Sequence, residues 1–214
     1  NRRDSLDNTP PTATQPIMLA DLQYPTGKRR VVMQAPKNGF FYVLDARTGR
    51  LLSAEKYSPL NWATGVDLKT GRPIEVDAAR YEITQRPVIM APGALGMHNW
   101  HPMAFHPKTG FVYIPVTVNN APYSGPREFK ENLTGWNTGV DFTGGAELYN
   151  QPGAPPRGNI ESYILAWDAV KGKEAWRIKN AVYGASGVLA TGGNLIFSGN
   201  HNGEFVAYRA TTGD

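Results

Sequence analysis

Two stretches of this sequence, 164 positions apart, lie over one another without a gap. Asn38-Gly39 falls on Asn202-Gly203, Phe41 on Phe205, Ala46 on Ala210 and Thr48-Gly49 on Thr212-Gly213. In each, a short β-rich run (30–34, 194–198) meets a second (40–44, 204–208) across a turn ending in Asn-Gly. Asn and Gly tolerate the positive φ such a turn demands, so each stretch reads as a β-hairpin. A third copy of the second half is Tyr163-Ile164-Leu165-Ala166-Trp167-Asp168, whose Gly172 lies 41 residues before Gly213. The longer offset is four times that interval. A period near 41 with short strands is the pattern of propeller blades. Met90 and Glu131 stand where intermediate repeat glycines would fall, whereas Thr70-Gly71 and Thr109-Gly110 mark further, displaced turns.

These features predict an all-β chain. At about 40 residues per blade it holds at most five, so the expectation is four to five blades of four antiparallel strands, with 1–214 as one domain. Residues 119–160, rich in Gly and Pro and without apolar periodicity, read as a long loop insertion of the kind that carries ligand sites. The first and third copies continue into a further strand, Arg50-Leu51-Leu52 and Lys173-Glu174-Ala175-Trp176, whereas the second stops at Asp214. The expectation is therefore part of a larger propeller.

Composition narrows the chemistry. The 23 glycines and 17 prolines agree with frequent turns, and the absence of Cys removes disulfides, thiolate nucleophiles and Cys-based zinc sites. Lys+Arg exceed Asp+Glu by 22 to 18, a net +4 too small and too scattered for a nucleic-acid footprint. No apolar run reaches the length of a membrane span, so no transmembrane segment is expected. His98, His101 and His106 invite a metal reading, but Pro102 and Pro107 interrupt them and no acidic residue accompanies them, so strand and turn histidines are the better reading. Asn132-Leu133-Thr134 fits a glycosylation pattern short enough to arise by chance.

The segment Ala166-x-Asp168-x-x-x-Gly172-Lys173-x-x-Trp176 resembles the tryptophan-docking motif of the pyrroloquinoline-quinone (PQQ) alcohol dehydrogenases, eight-bladed propellers in which such a Trp packs between blades. In the first copy Ser53 takes the place of the Trp. Thr12-Ala13-Thr14-Gln15-Pro16-Ile17, Gln34-Ala35-Pro36-Lys37-Asn38-Gly39-Phe40, Ala63-x-Gly65-Val66-Asp67, His98-Asn99-Trp100-His101-Pro102-Met103 and Leu189-Ala190-Thr191-Gly192-Gly193 are similar to family segments and stand in family order. The Ala-Trp-Asp form is most similar to the quinohaemoprotein branch, although no Cys-x-x-Cys-His occurs here.

The resemblance implies a periplasmic enzyme that oxidises a primary alcohol to an aldehyde by hydride transfer to PQQ, with Ca²⁺ as Lewis acid. Electrons would pass to cytochrome c or another acceptor, and haem c could lie in a domain outside this chain. By the same resemblance Lys37 matches the cation that bonds the ortho-quinone oxygens, and Asn99-Trp100 the pair that contacts the cofactor. Tyr183 falls where family members have a Trp near the cofactor, and so is a further cofactor-binding candidate. Asp7, in Asp4-Ser5-Leu6-Asp7, matches the general base near Ca²⁺, with Leu6 for the family's Trp and four extra residues before Thr12. Most calcium ligands and the stacking residues would lie upstream, so this chain alone is expected to be inactive. Two other readings stand beside this one: a non-enzymatic propeller scaffold of the bacterial cell envelope, and a glycan-binding β-domain using Trp136 and Tyr149.

Overall fold

The computed structural model describes residues 15–125, 131, 133, 140–141 and 144–214. Asp7 and Trp136 lie outside the described residues. The first sheet is an antiparallel meander of β1 (Met18–Tyr24), β2 (Gly27–Gln34), β3 (Phe40–Asp45) and β4 (Leu51–Lys56). A ribbon follows, β5 (Ala63–Val66) with β6 (Pro73–Glu75), then a helical turn α1 (Tyr81–Thr84) and β7 (Val88–Met90). The second meander is β8 (Ala104–His106), β9 (Phe111–Asn119), β11 (Asn159–Asp168) and β12 (Lys173–Lys179). Between its middle strands, β10 (Ala121–Tyr123) returns to pair with β7. The third sheet has β13 (Val188–Ala190), β14 (Leu195–Gly199) and β15 (Phe205–Arg209).

The three larger sheets are stacked in series, and the strand alternation shows why. In β11, Tyr163, Leu165 and Trp167 point one way, into a core shared with Val31, Met33, Phe41 and Val43 of the first sheet. Ile164 and Ala166 point the other way, onto Val188, Ile196 and Ala210 at the third sheet. A strand buried on both faces reads as an unbroken apolar run, which is what residues 163–167 are. A separate core of Phe40, Trp62, Tyr81, Met90 and Tyr123 fastens the ribbons to the outer side of the first sheet.

One turn recurs at one end of these sheets. The N–H groups of Gly49, Gly71, Gly110, Gly172 and Gly213 each bond the carbonyl four residues back, at 2.7–2.9 Å. Asp45 closes its turn by accepting from the Arg47 and Thr48 N–H groups, and Asp168 does the same for Val170 and Lys171. His106 stands in the Asp position, its Nδ1 accepting from Thr109 N at 3.3 Å. That is the turn role the sequence suggested, and among the described residues no group of three or more potential ligands could hold a metal ion.

The all-β expectation holds, and both hairpins and the displaced turns form where the repeat put them. The count of four to five four-stranded blades does not. The described residues form two four-stranded sheets, one three-stranded sheet and two two-stranded ribbons. Length overcounts because 57–103 and the described residues of 120–158 go into ribbons and connections. Thus 164 residues separate the first sheet from the third, two steps and not four. The insertion is also less irregular than it reads, since its start is stitched to β7 and a 3-10 turn spans Ala146–Asn150.

Candidate functional site

Strand direction sorts the connections. The glycine turns above share one end of the stack. The β2–β3 turn, the 91–103 loop, the β12–β13 connection and the β14–β15 turn lie at the other. Lys37 stands in the first of these, Asn99 and Trp100 in the second, Tyr183 in the third.

The loops of Lys37 and Asn99 are joined directly. Met97 N donates to Lys37 O at 3.0 Å, and Gly96 lies so close beneath Lys37 that a Cβ there would overlap its side chain and backbone. His98, fully buried, bridges the same two segments, with Nδ1 2.6 Å from Ala35 O and Nε2 2.8 Å from His101 O. Burial lowers its pKa against the pull of both carbonyls. Gln15 Nε2 donates to His98 O at 3.0 Å and ties in the start of the described chain.

Asn99 is buried and shapes its own turn. Its Nδ2 donates to Leu95 O at 2.8 Å and its Oδ1 accepts from Trp100 N at 3.0 Å. Trp100 is 65% exposed and stacks on the His101 ring at 5.2 Å. The Lys37 ammonium is half-buried, and among the described residues no hydrogen bond or ion pair is formed by it. Loss of solvent lowers its pKa from the usual lysine value. A cation so placed gains from any anion brought to it.

The third and fourth connections complete the arrangement. Asn119 Nδ2 donates to Gly96 O at 2.6 Å, and Thr117 N donates to Met97 O at 2.8 Å. The Tyr183 hydroxyl is buried beside Thr117 and Asn119 without hydrogen-bond geometry to either, and burial raises its pKa. The next residue, Gly184, lies against the imidazole of His201 so closely that a Cβ would overlap it. Burial lowers the His101 pKa, and the charge of His201 lowers it further. Contacts thus run from Lys37 through Gly96 and Met97 to Thr117–Asn119, where Tyr183 is buried, and separately from Gly184 to His201 and from Trp100 to His101.

All four described candidates converge at this end: Lys37, Asn99, Trp100 and Tyr183. Asp7 lies outside the described residues. Sequence reasoning missed Thr117, Asn119 and His201. The first two carry no motif. For His201 the signal was present, because the offset that lays Asn38 on Asn202 lays Lys37 on His201. A planar, polyanionic, carbonyl-bearing ligand such as PQQ fits this donor set. The half-buried Lys37 ammonium, which meets no partner among the described residues, is a polar group that a ligand of that kind would satisfy.

No protein-family model matches the chain. It is 43% identical over 205 residues to the quinohemoprotein alcohol dehydrogenase ADH IIB of Pseudomonas putida, a match covering 95% of this chain and 28% of that protein. Among solved structures it is similar to the quinohemoprotein alcohol dehydrogenase of Comamonas testosteroni, with a TM-score of 0.82 and 38% identity over 94% of this chain and 29% of that one. A europium-containing methanol dehydrogenase matches with a TM-score of 0.73 and 27% identity, over 94% of this chain and 34% of that one. The chain therefore spans about three-tenths of the length of the quinohemoprotein relatives it matches.

Proposed function

Because the chain is homologous along nearly its whole length to part of the quinohaemoprotein alcohol dehydrogenases, we propose that it supplies one wall of a PQQ site in an enzyme that oxidises primary alcohols to aldehydes. The observation that carries this is the junction of the Lys37 turn with the Asn99–Trp100 loop. The stacked sheets are then an arc of an eight-bladed propeller whose remaining blades lie in the rest of the enzyme. Alcohol substrate, Ca²⁺, haem c and a cytochrome acceptor belong to that whole enzyme, as does its periplasmic location, which cell fractionation would test.

Bound PQQ supplies a two-electron acceptor for hydride from the alcohol carbon. Lys37 would hold the quinone oxygens and stabilise the negative charge that reduction builds on them. An ammonium already partly withdrawn from water stabilises that charge more strongly than a fully solvated one. Asn99 orients the 95–100 turn through Leu95 O and Trp100 N and so sets where Trp100 stands against the heterocycle. Trp100 brings a broad apolar surface that limits water at the ring.

A chimera tests the reading in a complete enzyme. This segment replaces its counterpart in the Comamonas protein, and the product is loaded with PQQ and Ca²⁺. Alcohol-dependent dye reduction is expected, and Lys37→Met should lower kcat about 100-fold, the usual effect of losing a donor to developing oxyanion charge. An unchanged kcat would contradict the assignment of Lys37.

A further inference from the structure

Lys37 keeps its place through its backbone and through what lies beneath it, and both supports lead to the end of β9. Met97 N donates to Lys37 O, Thr117 N donates to Met97 O, and Gly96 packs directly under the lysine. The Gly96 carbonyl accepts from Asn119 Nδ2 at 2.6 Å. The same amide donates to Thr117 O at 3.0 Å, so one hydrogen braces the side chain on its own strand and the other reaches the loop. Gly93 N donates to Asn119 O at 3.3 Å, and a Cβ on Gly93 would lie 2.8 Å from Asn119 Oδ1. Asn119 is thus clasped by both ends of a tight turn, whose Gly96 N donates to Gly93 O at 2.9 Å.

Behind this side chain stands a rigid element. Asn119 is buried at the end of β9, which is paired on both sides and enters the main core through Val112, Ile114, Val116 and Val118. The next residue, Asn120, is engaged elsewhere. Its Oδ1 accepts from Tyr149 Oη at 2.6 Å and Gly158 N at 3.1 Å, and its Nδ2 donates to Pro156 O at 2.7 Å. Two adjacent asparagines divide the work: Asn119 holds the 93–97 loop under Lys37, and Asn120 holds the end of the connection that leads into β11.

We propose that Asn119 is a positioning residue for Lys37, fixing the ammonium through the Gly96 carbonyl at the place where the quinone oxygens of the cofactor meet it. This rests on the reading of the site given under Proposed function and adds the group that keeps its cation in register. Stabilisation of developing charge falls steeply when the donor is displaced by about an ångström. Without the carboxamide, Gly96 O keeps only the long contact from Thr117 Oγ1 at 3.4 Å, and the floor of the lysine is released.

The test uses the chimeric enzyme loaded with PQQ and Ca²⁺. Asn119→Ala is expected to lower kcat about 10-fold with KM for the alcohol held within about 2-fold, a smaller loss than the one expected for Lys37→Met. Asn119→Leu, which keeps the shape and removes the donor, should behave alike. With Lys37→Met already in place, adding Asn119→Ala should change kcat by less than about 2-fold, because a residue that acts through Lys37 then has nothing to position. Asn120→Ala removes bonds of the same kind one residue away and should leave kcat unchanged while lowering the melting temperature. Amide exchange in the enzyme without PQQ reads the contact itself. The Met97 amide should exchange as slowly as those of β9 in the parent, and lose protection in both Asn119 variants but not in Asn120→Ala. An unchanged kcat in Asn119→Ala, losses that multiply in the double variant, or a Met97 amide that exchanges freely in the parent overturns the positioning role while leaving the Lys37 reading intact. An unchanged kcat in Lys37→Met overturns that reading itself.

Discussion

Lys37 is positioned by what lies under it. Gly96 has a φ of +76° and no room for a Cβ beneath the lysine, so two constraints coincide there. Gly96→Ala is expected to destabilise the chain by about 2 kcal/mol through backbone strain and displacement of the β2–β3 turn, measured by urea unfolding. An unchanged midpoint would mean that the two loops separate without cost. At the opposite end, bonds from Thr48 and the backbone lower the Asp45 pKa below its ordinary 3.8. A depressed carboxylate contributes stability above its unfolded pKa and loses it as pH falls through the folded value. Asp45→Asn should therefore lower the melting temperature near neutrality and flatten its fall below about pH 4, the two proteins converging in acid. Single residues were unevenly legible. Lys37 and Asn99 stood out because a motif surrounded them, whereas Thr117 and Asn119 belong to an ordinary strand, and only pairing across the molecule brings them under Gly96 and beside Tyr183.

Among the elements, the second meander is the keystone, because both its faces are buried. Trp176 on β12 marks its junction with the third sheet. The indole packs on Tyr113 at 5.6 Å and against Gly213, where a Cβ would fall 2.9 Å from Cε3. Tyr113 Oη also donates to Ala210 O at 2.8 Å. The inter-sheet role suggested by the docking motif is thus the role the ring plays. Trp176→Ala is expected to cost about 2–3 kcal/mol, below the 3–5 typical of a fully buried Trp because part of this ring is open to solvent. Gly213→Ala should weaken the same junction. Loss of third-sheet amide protection ahead of the other sheets in hydrogen exchange would verify this, and uniform loss would contradict it. The motif-bearing strands were readable as strands because apolar runs and Asn-Gly or Thr-Gly turns bounded them. The pairing of β7 with β10, across more than thirty residues, left no local pattern to read.

At the scale of the whole molecule, a single period misled the blade count because connections of unequal length separate the sheets, and those connections build the candidate site. The series also leaves one face uncovered. Leu189 and Phe205 on the outer side of the third sheet are 60% and 74% exposed, and Phe205 stacks on Phe197 at 5.6 Å. A contiguous apolar face of this kind drives association. The chain should self-associate at micromolar concentration, and Leu189→Lys with Phe205→Glu should shift it toward monomer in light scattering. A wild-type chain that stays monomeric would count against this. The central claim is that the Lys37 turn and the Asn99–Trp100 loop together grip a redox quinone. A crystal structure of the chimeric enzyme loaded with PQQ tests it most directly. The account predicts density across the mouth, with the quinone oxygens within hydrogen-bond distance of Lys37 Nζ and the ring system against Asn99 and Trp100; PQQ bound elsewhere, or a mouth without ligand density, would contradict it.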